Sequence, residues 1–277
     1  IDGFANSIYV AGKYAYFGKE NAGLANDFII IDISNPASPS IVGGVDLAAQ
    51  VYSVAVSGKY AYLGVANATS GFRIYDISNP SNPTQVSTLN VGEIVPSLYI
   101  AGKYAYIGTN FIAGTTCPSQ CEFQIIDISN PASPSAVGGV DLGATTVNID
   151  TISVSGRYAY VGKQDAGIAN DFVVIDVSNP ATPAIAGGLD FSTGILHLQV
   201  AGRYAYLSLL VSAGNEVRIV DIANPASPSI VGGIELGVSG QQLRVSGKYL
   251  YLLSDTTAGN DFRILDLPGS DVATTST

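Results

Sequence analysis

The stretch Ile31-Asp32-Ile33-Ser34-Asn35-Pro36 decides the fold, because five more copies of it recur along the chain. The copies occupy residues 75–80, 126–131, 175–180, 220–225 and, in a shortened form without Asn-Pro, 265–268. A mainly apolar run precedes the Asp in each copy, interrupted in four copies by one residue, Arg73, Gln124, Arg218 or Arg263. After it, Asn-Pro disfavours helix and removes a backbone donor, so the chain must turn. We interpret the Asp as the residue that caps this turn.

A second marker is a glycine between two alternating runs, as in Val10-Ala11-Gly12-Lys13-Tyr14. It returns 44 to 54 residues apart at Gly58, Gly102, Gly156, Gly202 and Gly247. A period in the mid-forties, built of short alternating runs, is typical of a four-stranded propeller blade. The sequence therefore predicts an all-β fold, a six-bladed β-propeller with four-stranded antiparallel blades and about 45 residues per repeat.

The strands of one blade can be placed on the repeat. We predict a first strand at residues 53–56, a second at 59–65 and a third at 72–76, with a fourth at 40–47 in the preceding repeat. The glycine between the first two strands can take the positive φ that a tight hairpin turn needs. We expect residues 1–277 to form one propeller domain whose two ends meet at the closing blade, where residues 271–277 supply the fourth strand.

The runs Phe28-Ile29-Ile30-Ile31-Asp32-Ile33-Ser34-Asn35-Pro36 and Phe172-Val173-Val174-Ile175-Asp176-Val177-Ser178-Asn179-Pro180 resemble the LVIVD repeat of bacterial and archaeal surface proteins. The likeness extends from about residue 7 to residue 268 and weakens in the sixth copy, which lacks Asn-Pro. The resemblance implies a β-propeller and a location at the cell surface. It implies no catalytic residues.

The composition bears on partners and compartment. A formal net charge of -10 argues against nucleic acid and against anionic membrane surfaces, both of which reward clusters of Lys and Arg. No apolar run reaches the roughly 18 residues that span a bilayer. Cys117 and Cys121 lie four residues apart, and we expect them to form a disulfide in an oxidising compartment, with two free thiols as the alternative. We expect an exported chain, mature or trimmed, at the cell surface or outside the cell.

The loops indicate where a ligand would bind. In a propeller, the loops between second and third strands and the links between blades share one face, and here they diverge while the other face repeats. The third repeat has the longest of these loops, so we predict a binding patch there. Together with two residues on first strands, its members are Asn110, Phe111, Thr115, Gln120, Glu122, Asp150 and His197.

The first strands carry a second candidate. Five residues before each marker glycine stands a polar residue, which predicts a ring near the mouth of the channel: Ser7, Ser53, Ser97, Thr151, His197 and Gln242. His197 is the only histidine, so a Ser-His-Asp site would have to use it, yet no Gly-x-Ser-x-Gly elbow is present. We therefore predict no catalytic residues.

Five carboxylates begin third strands: Asp27, Glu122, Asp171, Glu216 and Asp261. Because they belong to different blades they cannot share one ion, so we predict no metal site and no cofactor. A local Ca²⁺ site within residues 21–27 or 165–171 is the alternative.

The sequence thus favours an extracellular structural or interaction module that binds protein or glycan in an envelope layer, filament or adhesive complex. Two alternatives stay open. One is a lactonase-like hydrolase with a site at the channel mouth, and the other is a subunit that polymerises by strand addition at the sixth blade.

Overall fold

The computed structural model describes residues 4–20, 26–67, 69–110, 121–142, 148–164, 170–211, 214–254 and 262–267. Within them the chain forms 23 β-strands and no helix. The first three blades comprise β1 (Ala5–Ala11), β2 (Tyr14–Lys19), β3 (Phe28–Asp32), β4 (Ser40–Val45), β5 (Val51–Ser57), β6 (Tyr60–Val65), β7 (Phe72–Asp76), β8 (Thr84–Leu89), β9 (Ser97–Ala101), β10 (Tyr104–Gly108), β11 (Phe123–Asp127) and β12 (Ser135–Val140).

The last three blades comprise β13 (Ile149–Ser155), β14 (Tyr158–Lys163), β15 (Phe172–Asp176), β16 (Ala184–Leu189), β17 (Ile195–Ala201), β18 (Tyr204–Leu209), β19 (Val217–Asp221), β20 (Ser229–Ile234), β21 (Gly240–Ser246), β22 (Tyr249–Ser254) and β23 (Phe262–Asp266). Consecutive strands pair antiparallel within six sheets, five of four strands and a sixth with three described strands. The predicted all-β, six-bladed propeller is therefore confirmed. Residues 271–277, predicted as the last strand, lie outside the described residues.

Strand bounds follow the predicted pattern closely. The third strand of the second blade, Phe72–Asp76, coincides with the predicted residues 72–76. The first strand, Val51–Ser57, is longer than residues 53–56 because a register shift between Val51 and Ser53 lets it continue. The fourth strand ends at Val45, two residues early, because Asp46 begins the link to the next blade.

Each turn between the first and second strands places the marker glycine at positive φ, 58 to 60° in all six repeats. This is the left-handed region, in which a side chain is strained, so the repeat keeps glycine there. The residue after each glycine is Lys or Arg, and its charged group lies over the ring of the Tyr that follows, as Lys59 does over Tyr60 at 5.1 Å.

The same cation reaches the Asp of the repeat motif. Lys59 Nζ lies 2.8 Å from Asp76 Oδ2, and the corresponding pairs are Lys13 with Asp32, Lys103 with Asp127, Arg157 with Asp176, Arg203 with Asp221 and Lys248 with Asp266. The other oxygen of Asp76 accepts the N–H of Ser78 at 2.8 Å. The Asp is thus the predicted turn cap. Its ion pair with the hairpin cation joins the two turns at this end of each blade.

The chain divides into two compact units. One contains residues 1–145 with 180–182, and the other contains residues 146–179 with 183–277. In the first unit, Tyr16, Phe28 and Ile30 of one blade pack on Val54 and Leu63 of the next. In the second unit, Tyr160, Phe172 and Val174 pack in the same way on Leu198 and Leu207. Each core therefore lies between neighbouring sheets.

Glycines in the second and fourth strands set the distance between sheets. A Cβ on Gly43 would lie closer than 3.0 Å to the backbone of Pro80 and Ser81 in the next blade. A Cβ on Gly18 would lie just as close to the side chain of Val51. In the second blade Ser87 takes the place of Gly43, and its hydroxyl donates to Pro131 O at 2.6 Å.

No helix in the described part of the chain is long and apolar enough to cross a membrane.

Candidate functional site

The polar residues of the first strands connect neighbouring blades. In the first unit, Val54 N–H donates to Ser7 Oγ at 3.1 Å, and Ser53 Oγ donates to Val95 O at 3.1 Å. Ser97, at the same position of the next blade, is also buried. Ser7 therefore bonds the first strand of the next blade, and Ser53 bonds the segment that leads into β9, a structural use of positions predicted to face the channel.

The second unit repeats this arrangement. Leu198 N–H donates to Thr151 Oγ1 at 3.0 Å, and Val245 N–H donates to Gln199 Oε1 at 2.6 Å. Gln242, the last predicted member of the ring, is exposed. Of the predicted ring, Ser7, Ser53 and Thr151 thus form hydrogen bonds between blades, whereas Gln242 presents its amide to solvent.

Asp150 and His197 lie next to one of these bonds. Each immediately precedes a member of the Thr151–Leu198 pair, on β13 and β17, and Asp150 falls where the register shifts between Ile149 and Thr151. Such a bulge re-aims a side chain that a regular strand would fix. The structure therefore places Asp150 and His197, two of the three titratable residues of the predicted patch, on neighbouring strands of one unit.

Burial shifts the protonation of both groups. It raises the pKa of Asp150 to about 6, because the charged carboxylate loses hydration. It lowers the pKa of His197 to about 4, and the positive charge of Arg244 on β21 adds to the shift. The imidazole is therefore neutral at neutral pH. Its Nδ1 is buried and has no hydrogen-bond partner in the described part of the chain.

Asp150, His197 and Arg244, which we call the inner polar cluster, lie on the neighbouring first strands β13, β17 and β21, and the charge of Arg244 acts on the His197 ring. They do not form a nucleophilic triad with the residues described. Ser208 donates to the backbone oxygen of His197, at 3.5 Å, and not to its ring.

The carboxylates that begin third strands hold the ends of fourth strands. Asp27 Oδ2 accepts the N–H of Leu47 at 2.9 Å, and Glu122 Oε2 accepts that of Leu142 at 3.1 Å. Asp171 and Glu216 bind the N–H groups of Phe191 and Leu236. The separation is 20 residues in all four, a constant spacing that the sequence already displayed.

These carboxylates are buried at the base of the variable loops. Burial raises the pKa of Asp171 to about 6, and its Oδ1 has no hydrogen-bond partner among the described residues. Within that part of the chain, no group of three or more His, Cys, Asp or Glu could hold a metal. Asp261, most of residues 21–27 and most of residues 165–171 lie outside the described residues, so the alternative of a local Ca²⁺ site stays a prediction.

The predicted patch of the third repeat is described only at its edges. Asn110 is partly exposed and its N–H donates to Ile94 O at 3.3 Å, while Glu122 is buried. Cys121 is buried. Phe111, Thr115, Cys117 and Gln120 lie outside the described residues. The disulfide between Cys117 and Cys121 and the ligand contacts of this loop stay predictions.

Replacing Thr151 by valine should lower the free energy of unfolding by about 1–3 kcal/mol, because the buried N–H of Leu198 loses its acceptor while side-chain volume is kept. Urea unfolding followed by circular dichroism measures the change. Thr84→Val, at an exposed position of β8, is the matched control and should change stability by less than about 0.5 kcal/mol. Equal effects would mean that the Thr151 hydroxyl does not join the blades.

Similar proteins of known structure share this architecture. A protein from Lactobacillus plantarum aligns with a TM-score of 0.74 at 14% identity, over 95% of this chain and 80% of that one. A functionally unknown protein from Desulfotomaculum acetoxidans aligns with a TM-score of 0.70 at 11% identity, over 96% and 83%. The computationally designed protein Ika8 aligns with a TM-score of 0.66 at 13% identity, over 95% and 71%. At these identities the likeness shows the fold alone.

No curated protein matches the sequence. The LVIVD repeat, in contrast, matches residues 2–47, 48–91, 118–142, 148–190 and 197–235, which together make up more than half of the chain. The matched segments contain five of the six repeat Asp residues described above, Asp32, Asp76, Asp127, Asp176 and Asp221, whereas Asp266 lies beyond the last match. The chain belongs to the LVIVD repeat family.

Proposed function

We propose that this protein is a non-enzymatic interaction module, at the cell surface or outside the cell, that binds protein or glycan through the loops between its second and third strands. The observation that carries the proposal is the contrast between the two ends of each blade. At one end, the same cation, aromatic ring and Asp recur in all six repeats. At the other end, the sequence varies.

The repeated end is suited to holding the blades and offers little to a specific ligand. Its charges are already paired, as Lys59 is with Asp76, and the Asp oxygens also cap the turn. Exposed pairs of this kind contribute little energy each, so their recurrence reflects turn geometry more than stability. Recognition is thus left to the opposite end, where Asp27, Glu122, Asp171 and Glu216 fix the backbone just after the fourth strands.

The inner polar cluster supports binding in preference to hydrolysis. With its pKa lowered to about 4, His197 could take up a proton as a general base only weakly. The described hydrogen bonds give its ring no serine nucleophile and no orienting carboxylate. A neutral imidazole near Arg244, with Asp150 on the neighbouring strand β13, instead matches the hydroxyls and amides of a glycan or a peptide.

Location at the cell surface is supported by the family and by composition. The LVIVD match agrees with the surface location that the sequence resemblance implied. A low content of charged residues, 12%, with 16 Tyr and 31 Gly, resembles surfaces that bind through aromatic and small residues. A disulfide between Cys117 and Cys121 would belong with an oxidising compartment.

The loop of the third repeat should carry most of the binding. Fluorescently labelled protein would be applied to an array of purified glycans and to immobilised cell-envelope proteins. In one variant, residues 111–120 are replaced by a Gly-Ser chain of equal length, and we expect its affinity for the ligand to fall at least about tenfold, equivalent to roughly 1.4 kcal/mol.

Lys103→Ala is the matched control, because it changes the opposite end of the same blade. It should bind like the wild-type protein. Unchanged binding by the loop variant, or equal losses in both, would contradict the assignment of the loop. Release of p-nitrophenol from simple esters or opening of lactones at a rate that His197→Gln abolishes would instead favour the hydrolase alternative.

A further inference from the structure

A second set of acidic residues accompanies the carboxylates that begin third strands. Four blades have an acid at both positions, 19 residues apart: Asp27 and Asp46, Glu122 and Asp141, Asp171 and Asp190, Glu216 and Glu235. The second acid comes directly after the fourth strand, as Asp190 does after Leu189, the last residue of β16. In the second blade both positions are uncharged, Gly71 and Asn90. In the first five blades, therefore, the two acids occur together or not at all.

In the fourth blade one turn holds both carboxyl groups. Asp171 Oδ2 accepts the N–H of Phe191 at 2.8 Å, and Asp190 Oδ1 accepts the N–H of Ser192 at 2.7 Å. The two carboxyl groups lie close enough for one to donate a proton to the other. Asp171 is fully buried, whereas Asp190 is exposed. We call Asp171 and Asp190 the fourth-blade carboxyl pair.

The first blade repeats this geometry in the other unit. Asp27 Oδ2 accepts the N–H of Leu47 at 2.9 Å, and Asp46 Oδ1 accepts the N–H of Ala48 at 2.9 Å. Asp27 is fully buried beside the exposed Asp46. Ala48 has a φ of 50° and Ser192 a φ of 56°, so the two turns also share a left-handed residue. Asp27 and Asp46 therefore form a first-blade carboxyl pair of the same kind.

Each buried acid has one oxygen without a hydrogen bond. Asp27 Oδ1 and Asp171 Oδ1 are inaccessible to water, and neither has a partner in the described ranges. A buried ionised oxygen in this state is costly, and a second carboxylate beside it adds repulsion. A proton on that oxygen removes both costs, because the resulting O–H can donate to the neighbouring carboxylate.

The buried position is enclosed within its own blade. In the second blade, a Cβ on Gly71 would lie closer than 3.0 Å to Glu93 O, in the link that follows β8. Links of this kind join a fourth strand to the first strand of the next blade, and residues 190–194 form the link after β16. The buried acid therefore lies against the link that it binds.

The charged neighbours of the fourth-blade pair act in opposite directions. Burial and the charge of Asp190 raise the pKa of Asp171 to about 6, although the positive charge of Lys163 opposes them. Lys163 ends β14, directly opposite Asp171, and Lys19 occupies the same place on β2 opposite Asp27. Burial and Asp46 likewise raise the pKa of Asp27. The protonated form is thus favoured in both pairs despite a lysine on the neighbouring strand.

We propose that each carboxyl pair shares one proton, and that loss of this proton near neutral pH loosens the link that the buried acid holds. The proton lies on Asp171 Oδ1, which donates to Asp190, and it passes to solvent at the exposed Asp190 as pH rises. Two carboxylates then remain side by side, and opening the link separates them. Because the links lie on the face of the variable loops, this face becomes more mobile at higher pH. The device requires no ligand at the loops.

Amide hydrogen exchange at Phe191, measured by NMR at pH 5 and pH 8 and corrected for the intrinsic rate, tests the proposal. In the wild-type protein the protection factor should fall about tenfold or more between the two pH values, because opening returns Asp171 to its ordinary pKa. In Asp190→Asn, which lacks the second charge, the fall should be at least threefold smaller. The turn accepts this substitution, since Asn90 Oδ1 accepts the N–H of Gly92 at 2.9 Å in the second blade.

Asn90→Asp is the matched control, because it places a carboxylate in a blade where Gly71 supplies no partner. The protection factor of Val91 should then be the same at pH 5 and pH 8. Asp46→Asn gives a second test in the other unit, with Leu47 as the reporting amide. Circular dichroism checks that each variant is folded.

Three outcomes would overturn the proposal. One is a protection factor of Phe191 that does not change with pH, and another is an equal fall in the wild-type protein and Asp190→Asn. The third is full protection at pH 8 on addition of CaCl₂, which would mean that the pair holds a cation in place of a proton. Carbon-13 NMR of the Asp171 carboxyl group should show a titration midpoint near pH 6 in the wild-type protein and a lower one in Asp190→Asn.

Discussion

Replacing Gly43 by alanine should lower the free energy of unfolding by about 2–3 kcal/mol, the usual cost of forcing extra atoms into a well-packed contact. The added Cβ would lie closer than 3.0 Å to the backbone of Pro80 and Ser81. A backbone cannot rotate away as a side chain can, so the two sheets would have to separate. Urea or thermal unfolding followed by circular dichroism measures the loss.

Gly232→Ala is the matched control. Gly232 lies at the same position of the fifth blade, in the same Val-Gly-Gly sequence, and the nearest described atom to an added Cβ is Ile219 Cδ1 at 3.6 Å. We expect a change within about 0.5 kcal/mol, or a slight gain because alanine loses less backbone entropy than glycine. Equal losses in both variants would mean that strand geometry, and not the contact with the next blade, requires the glycine.

The fold could be predicted from the sequence because its signals are local and repeated. The Asn-Pro motif, the marker glycine and the alternating strands each recur along the chain, so every copy supports the same assignment. Gly58 at positive φ and the third strand Phe72–Asp76 were both confirmed. The repeat motif also accounts for the glycine at position 43, because the backbone that a Cβ there would meet is that of Pro80, which belongs to the next copy of the motif.

The roles of polar residues were harder to predict, because they depend on neighbours distant in sequence. The sequence pattern predicts the Asp of the repeat as a turn cap but does not predict its ion pair with the hairpin cation. The available signal was the interval from cation to Asp, which is 17 to 19 residues in five repeats and 24 in the third. Glu122 is predicted to contact a ligand, which stays a prediction, and the structure adds a role that the sequence analysis did not find, since Glu122 accepts the N–H of Leu142. The constant separation of 20 residues between such partners was the available signal.

The candidate site was predicted in part. Asp150 and His197 were both named from sequence, and the structure places them beside the Thr151–Leu198 hydrogen bond. The sequence analysis did not predict that Arg244 acts on His197. Its effect on the pKa of His197 requires that β21 lies next to β17, which the repeat order implies, and that the Arg244 side chain points toward the ring, which no pattern in a single sequence indicates.

We expect the titration of His197 and that of Asp150 to change the free energy of unfolding in opposite directions as pH falls. For His197 the folded pKa, about 4, lies below the unfolded value of 6.5, so its contribution is complete above pH 6.5 and is lost as pH falls toward 4. For Asp150 the folded pKa, about 6, lies above the unfolded value of 3.8, so its contribution is complete below pH 3.8 and is lost as pH rises through 6.

Urea unfolding of the wild-type protein, His197→Gln and Asp150→Asn at pH 7 and pH 4.5 measures both effects. From pH 7 to 4.5, the stability of the wild-type protein relative to His197→Gln should fall by about 1–2 kcal/mol, and relative to Asp150→Asn it should rise by a similar amount. These figures are reduced from the full shifts because both side chains keep some contact with water.

Taking differences between proteins removes the other titrating groups. Asp171, whose pKa burial also raises to about 6, is present in all three proteins and cancels. Differences of the same sign for the two variants would contradict the environments assigned to Asp150 and His197. Differences near zero would mean that water reaches both side chains, and the inner polar cluster would then be ordinary solvated strand surface. Opposite signs would establish a carboxyl and an imidazole held away from water on neighbouring strands, which is the condition under which their hydrogen bonds to a polar ligand become strong.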